Sequence, residues 1–215
     1  MWRKIVDTLV LPLAFVSVAM MLSLIVAKRV ARDEERIAHF ASLTEEKTLI
    51  SQYDKMFQEV GTQYDVDWLL LSAIARAESE FRFDAVSKAG AVGLMQIMPS
   101  VAKSMGYERE QLFDARISAE IAAQLLHENN AMLRLPEGFD SAERVKFILA
   151  CYNAGYSRIA DARRLARYHD ESGSVWSIVA TYLELLAEPE YLELEIVRSG
   201  AFYGSDETIA YVNRV

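Results

Sequence analysis

The chain has 215 residues, 52% hydrophobic and 25% charged, with a net charge of −8 and a single cysteine, Cys151. This composition excludes a disordered chain, a collagen-like repeat and an internal disulfide framework. The acidic balance argues against nucleic acid as a partner, because phosphate binding needs a basic surface.

The first feature in chain order is an uneven charge. Arg3, Lys4, Lys28, Arg29 and Arg32 against Asp7 give residues 1–32 a net +4, which leaves −12 for the rest. Between the two basic clusters, Thr8 to Ala27 is an uncharged run rich in Leu, Val, Ala and Met. Roughly twenty apolar residues span the hydrocarbon core of a bilayer as a helix. Ile25-Val26-Ala27 runs straight into Lys28-Arg29, a poor site for a signal peptidase. An uncleaved single-pass transmembrane helix over about 8–27 is therefore expected, with a cleaved signal as the alternative. A polar, helix-favouring stalk follows over 33–50.

From residue 51 the pattern is that of a mainly α-helical domain running to 215. Apolar residues recur at helical spacing from Ile50 to Tyr64, where Gly61 weakens the pattern. Asp65 and Asp67 are N-cap candidates for the next helix, Trp68 to Glu78. That segment is apolar almost all round, so a buried central helix is expected. Residues 79–99 break the period and hold Gly90, Gly93 and Pro99, which predicts a loop, with a short hairpin as an option. Helical periodicity resumes at about 100–105, 116–134, 141–153, 157–168, 174–187 and 206–214.

Glu78 ends the apolar helix. Ionisation beside so much apolar surface is penalised, so its pKa should rise. A carboxylic acid still protonated near neutral pH can donate to a leaving oxygen, as cleavage of a glycosidic bond requires. A solvated charge at a helix end is the plainer alternative.

The blocks around Glu78 narrow the choice. Glu78-Ser79, the Ser87 to Gly90 turn and Gly93-Leu94-Met95-Gln96-Ile97-Met98-Pro99 occur in that order. Cys151-Tyr152-Asn153-Ala154-Gly155 and Glu207-Thr208-Ile209-Ala210-Tyr211-Val212 follow. Together they resemble the signature of lytic transglycosylases of the soluble-lytic-transglycosylase type. The resemblance implies a goose-type lysozyme-like fold and cleavage of peptidoglycan. Tyr152 to Tyr156, Asp161-Ala162-Arg163 and the stretch from Tyr182 to Gly200 look most similar to the catalytic domain of the membrane-bound lytic murein transglycosylase F group. Full-length members of that group also carry a solute-binding-protein-like domain. The resemblance covers the catalytic domain, residues 67–212, alone.

What the resemblance implies can be placed residue by residue. Glu78 matches the single catalytic acid, which protonates the oxygen between N-acetylmuramic acid and N-acetylglucosamine. As carboxylate it then takes the proton from the sugar's own 6-hydroxyl, leaving a 1,6-anhydro ring. Ser79, Ser87, Gln96, Met98, Tyr152, Asn153 and Tyr211 match positions that bind substrate or support the acid. Tyr152 matches a tyrosine whose hydroxyl reaches the catalytic carboxyl, and Tyr211 one that closes the far side of the cleft. Ser79 orients Glu78 or caps the next turn, and Met98 and Tyr211 are also plausible core residues. Departures include Arg82-Phe83 where Asn-Pro is common, and Cys151 where Ala is common. Asp114-Ala115 lacks the usual Pro, and Ala122 stands where Gly is frequent.

No cofactor is expected. His39, His127 and His169 lack ligand spacing, so no metal is expected either. Asp84 is the nearby candidate for the second carboxylate of a hydrolytic muramidase, the alternative enzyme. An inactive, membrane-tethered peptidoglycan-binding module is the non-enzymatic alternative. The expected partners are glycan strands, the inner membrane and a wall-spanning machine. The catalytic domain is expected on the periplasmic or external side, in wall turnover or local wall opening.

Overall fold

The computed structural model describes residues 27–32, 34 and 49–215. The expected transmembrane helix and stalk lie almost wholly outside the described residues. Among the described residues no helix is long and apolar enough to cross a membrane. The chain divides into two units, Met1–Ile50 and Ser51–Val215. In the first, residues 27–32 are helical and exposed.

The second unit is helical. Helix α1 (Asp54–Tyr64) buries Phe57, Val60 and Gly61 on one stripe. Gly61 is a packing requirement and no weakness of the helix: a Cβ there would lie 2.5 Å from the Val66 carbonyl oxygen. The chain returns at that point, Val66 N donating to Gly61 O at 2.9 Å. Asp65 is no N-cap. It terminates α1 in a left-handed conformation at φ 55°, a state Asp reaches more easily than most residues. Asp67 does cap α2 (Trp68–Ser79), its Oδ1 accepting from Leu69 N at 2.9 Å.

α2 is less enclosed than its composition predicts. Leu71, Ser72, Ile74, Ala75 and Ser79 are buried, but Leu69 is 48% exposed. The unbroken buried run lies instead in α5 (Ser141–Ala154), where Phe147 to Cys151 are all buried. α5 packs against α4 (Ala115–Leu133), α6 (Tyr156–Tyr168) and α9 (Ser205–Arg214), while α1 packs on α2 and α4. Asp114 and Asp140 cap α4 and α5 by accepting from first-turn backbone N–H groups. Cys151 sits in this core with its thiol pushed up to about 12 by burial.

The connection after α2 is irregular. Two isolated antiparallel bridges, Val86 with Val92 and Val92 with Ile97, fold it back on itself. Helix α3 (Pro99–Ser104) follows, with Pro99 in its first turn, where a missing N–H does no harm. A 3-10 turn, Arg109–Phe113, leads into α4. Beyond α6 lie α7 (Trp176–Glu184), a 3-10 turn (Leu185–Ala187), the short α8 (Pro189–Leu192) and α9. The helix expected over 174–187 therefore tightens into 3-10 geometry at its end.

Candidate active site

Glu78 occupies the last turn of α2 and is half-buried. The helix stops just beyond it, with Glu80 and Phe81 in successive left-handed conformations at φ 53° and 64°. Such backbone costs about 1–3 kcal/mol for each non-glycine residue. It turns the chain sharply away from α2, so Glu80 leaves the face that carries Glu78. Ser79 is 2% exposed, and its hydroxyl reaches Leu94 O at 2.7 Å, with Ala75 O at 3.1 Å. The Ser79 side chain thus ties the end of α2 to the following loop.

That loop is built from its own polar atoms. Ser87 N donates to Ala91 O, and Ser87 Oγ accepts from Ala91 N at 3.0 Å. The Ser87 side chain is partly exposed, and its hydroxyl proton is not used by that bond. Gln96, itself at φ 49°, donates through Nε2 to Gly93 O at 2.9 Å and Ala85 O at 3.2 Å. Its amide donors hold the loop, and only Oε1 is left for a ligand. Gly93 lies at φ 83°, and a Cβ there would be 2.0 Å from Leu112 O. Leu94 and Met95 are fully buried beside it. Met98 is 40% exposed, an apolar surface next to the loop rather than a core residue.

Two tyrosines from distant parts of the chain meet Glu78. The Tyr152 hydroxyl, expected to reach the acid, donates instead to Met95 O at 2.7 Å. Burial, and after it the nearby charge of Glu78, push its pKa well up. Tyr211 is 2% exposed, so it belongs to the core as well as to the site. Its hydroxyl is buried without a completed hydrogen bond, but it lies close enough to Glu78 to favour the carboxylate. The two groups are close neighbours. Burial and then the Glu78 charge raise the Tyr211 hydroxyl in turn. Asn153 Oδ1 accepts from the Thr208 hydroxyl at 2.8 Å, which joins α5 to α9 and leaves the Asn153 amide nitrogen free.

Burial dominates the Glu78 carboxyl and raises its pKa above the ordinary value. Contact with Tyr211 and the charge of Arg214 oppose the rise, and the charge of Glu207 adds to it. Glu207, Tyr211 and Arg214 share one face of α9, spaced four and three residues apart. For Arg214, which lies outside the Glu207 to Val212 block, that spacing is the signal that could have joined it to the acid. The acidic charge that reaches Glu78 is that of Glu207, whereas Asp84 is exposed in the loop. The group can thus hold a proton on a half-buried carboxyl and, once it is lost, stabilise the anion through neighbouring tyrosine and arginine groups. Among the described residues no three His, Cys, Asp or Glu side chains cluster as a metal site.

A family profile described as "Transglycosylase SLT domain" matches residues 55–175. A "membrane-bound lytic murein transglycosylase F 1" of Alkalilimnicola ehrlichii is 32% identical over 142 residues, covering 66% of this chain and 28% of the relative. A "membrane-bound lytic murein transglycosylase F" of Cronobacter sakazakii is 32% identical over 169 residues, covering 78% of this chain and 31% of the relative. The chain thus spans less than a third of the length of these curated relatives. The crystal structure of the 70 kDa soluble lytic transglycosylase of Escherichia coli superposes with a TM-score of 0.53 at 22% identity. That likeness covers 75% of this chain and 22% of the other, and shows a shared helical fold. The chain belongs to the transglycosylase SLT domain family.

Proposed function

We propose that this protein is a peptidoglycan lytic transglycosylase whose single acid–base group is Glu78. The observation that carries the reading is a half-buried glutamate with a raised pKa at the end of α2, faced by the hydroxyl of Tyr211 and near that of Tyr152. The protonated carboxyl gives its proton to the oxygen linking N-acetylmuramic acid to N-acetylglucosamine as the C1–O bond breaks. The resulting carboxylate takes the proton of the muramyl 6-hydroxyl, whose oxygen closes on C1. Atoms balance without water, and Glu78 returns to its starting state. Tyr211 and Arg214 favour the intermediate carboxylate. Ser87, the Gln96 carbonyl, the Asn153 amide and the exposed Met98 side chain supply polar contacts and an apolar platform for the sugars. A goose-type lysozyme-like architecture is part of the same reading.

Purified full-length protein, given peptidoglycan, is expected to release muropeptides with 1,6-anhydro ends. Each is lighter by one water than its hydrolytic counterpart and resists borohydride. Glu78→Gln is expected to lose about 100- to 10,000-fold in rate. Activity within a few-fold of wild type would remove Glu78 from the mechanism.

A hydrolytic reading rests on one observation, the Glu207 charge reaching Glu78. A second carboxylate roughly 5–9.5 Å from the acid could serve as nucleophile or prime a water. Hydrated, reducible ends that vanish in Glu207→Gln would establish it. Asp84→Asn is expected to leave product and rate within about tenfold in either case, since surface changes away from such groups are small.

The relatives' names support a membrane setting, and the uncharged run supports Thr8–Ala27 as an uncleaved inner-membrane anchor, with the domain after residue 32 outside the cytoplasm. The domain would then meet glycan strands during wall turnover, or within a machine that opens the wall locally. Retention of the full-mass chain in membranes after a carbonate wash is the expected result. A soluble mature form starting near residue 28 would overturn it.

A further inference from the structure

A second concentration of charge lies on α6. In a chain of net charge −8, α6 carries Arg158, Arg163, Arg164 and Arg167 with Asp161 as its one acid. Arg163, Arg164 and Arg167 line a cavity of about 230 Å³ together with Arg134, which ends α4. The side chains of Glu78, Tyr152 and Tyr211 are not among its lining.

The fold accounts for part of this positive charge. Arg163 donates through Nη1 to Leu133 O and through Nε to Gly173 O, both at 2.7 Å, so it satisfies a carbonyl at the end of α4. Arg164 pairs with Asp161 and donates to Ile196 O at 2.7 Å. Arg134 suits the negative end of the α4 dipole.

Arg167 also lies along Gly173 and Arg163 over the Phe147 ring, but neither contact supplies a counter-charge. Among the described residues the guanidinium groups of Arg134 and Arg167 form no hydrogen bond or ion pair, and both residues are exposed. Arg163 is 8% exposed, and only two of its five N–H donors are used. Burial and the neighbouring charge of Arg167 hold Arg163 below its ordinary value. Like charges gathered around a partly buried guanidinium repel unless an anion lies between them. A polar cavity fringed by guanidinium forks matches the planar or tetrahedral oxygens of a carboxylate or phosphate.

We propose that this cavity is an oxyanion-binding site, separate from the Glu78 site, for a compact ligand carrying carboxylate or phosphate charge. Arg134 and Arg167 supply its free donors, Arg163 its buried floor, and the Tyr156 ring part of its wall.

The test uses the full-length chain in mild detergent, titrated with inorganic phosphate, with succinate, and with sodium chloride at matched ionic strength. Phosphate or succinate is expected to give a saturable rise in melting temperature, about 3–6 °C at ten times the dissociation constant. The double variant R134Q/R167Q removes two exposed, unpartnered charges, so folding should persist. It is expected to reduce the affinity at least fivefold without changing activity on peptidoglycan. A response to one anion that the variant abolishes establishes the site and identifies its ligand chemistry. No rise beyond the chloride control, or an equal rise in the double variant, overturns it.

Discussion

At the end of α2 the Glu78 carboxyl has a raised pKa because burial penalises the charge more than Tyr211 and Arg214 relieve it. The sign of the pH effect follows. A carboxyl whose pKa is higher folded than unfolded contributes stability below the unfolded pKa, and that stability is lost as pH rises through the folded value. Glu78→Gln should therefore melt above wild type at pH 8, with the gap closing towards pH 4. An equal gap at both pH values would mean that the carboxyl's burial is not what shifts it. Activity should fall on the alkaline side as Glu78 deprotonates. Tyr211→Phe removes a neighbour that favours the carboxylate, so the alkaline limb of the pH–rate profile should move to higher pH. Because the Tyr211 hydroxyl completes no hydrogen bond, its loss should change stability by less than about 1 kcal/mol. A limb that stays in place would remove Tyr211 from the electrostatics of the acid. At this scale the burial and upward shift of Glu78 were legible in the sequence, since an apolar helix ends in that glutamate. The roles of the tyrosines were less so. A hydroxyl's partner depends on which carbonyl the fold brings near, and Tyr152 finds Met95 O before it finds Glu78.

The loop between α2 and α3 is the element on which the proposed substrate contacts depend. Its periodicity predicted only irregularity, because bridges at single residue pairs leave no alternating pattern to detect. Its glycines were visible, but their differing demands were not. A Cβ on Gly90 would meet nothing within 4 Å, while one on Gly93 would collide with the backbone of Leu112. Gly93→Ala combines that clash with a left-handed φ, and should cost on the order of 3 kcal/mol. The expected fall in melting temperature is about 6–12 °C. Activity should fall with it, because Gly93 O is one of the two carbonyls that hold Gln96. A fall in melting temperature of under about 2 °C would mean that Leu112 can move aside. The contrast between α2 and α5 belongs here too. Both sequences are apolar, but burial depends on how many neighbours a helix has. α5 is flanked by α4, α6 and α9, and that arrangement cannot be counted from one segment.

Across the whole molecule, α9 reaches Glu78 only if the long segment from Leu185 to Gly204 is held in place. Asp161 provides that hold from α6. It is fully buried, and its Oδ2 accepts from Arg198 N at 3.0 Å and Ser199 N at 2.7 Å. Its other oxygen pairs with Arg164, which in turn donates to Ile196 O. Phe202 N donates to Leu186 O at 3.0 Å, fastening the next stretch. The sequence marked Asp161 only as part of a motif, since two of its three partners lie more than thirty positions away. Asp161→Asn keeps the shape but places an amide where two acceptor oxygens are needed, and leaves Arg164 without its counter-charge. Breaking one partner of a buried pair costs about 3–5 kcal/mol, and the partly exposed Arg164 places this site at the low end. The loss should be local as well as global. Amide exchange should quicken over residues 185–204 before it does in α5, and the kcat for glycan cleavage should fall as Tyr211 loses its register with Glu78. Charge alone cannot produce that pattern, since Arg164→Gln removes the counter-charge but leaves both Asp161 backbone contacts. It should disturb the segment less than Asp161→Asn does. Equal exchange rates in the two variants would transfer the hold from the buried acceptor oxygens to the ion pair.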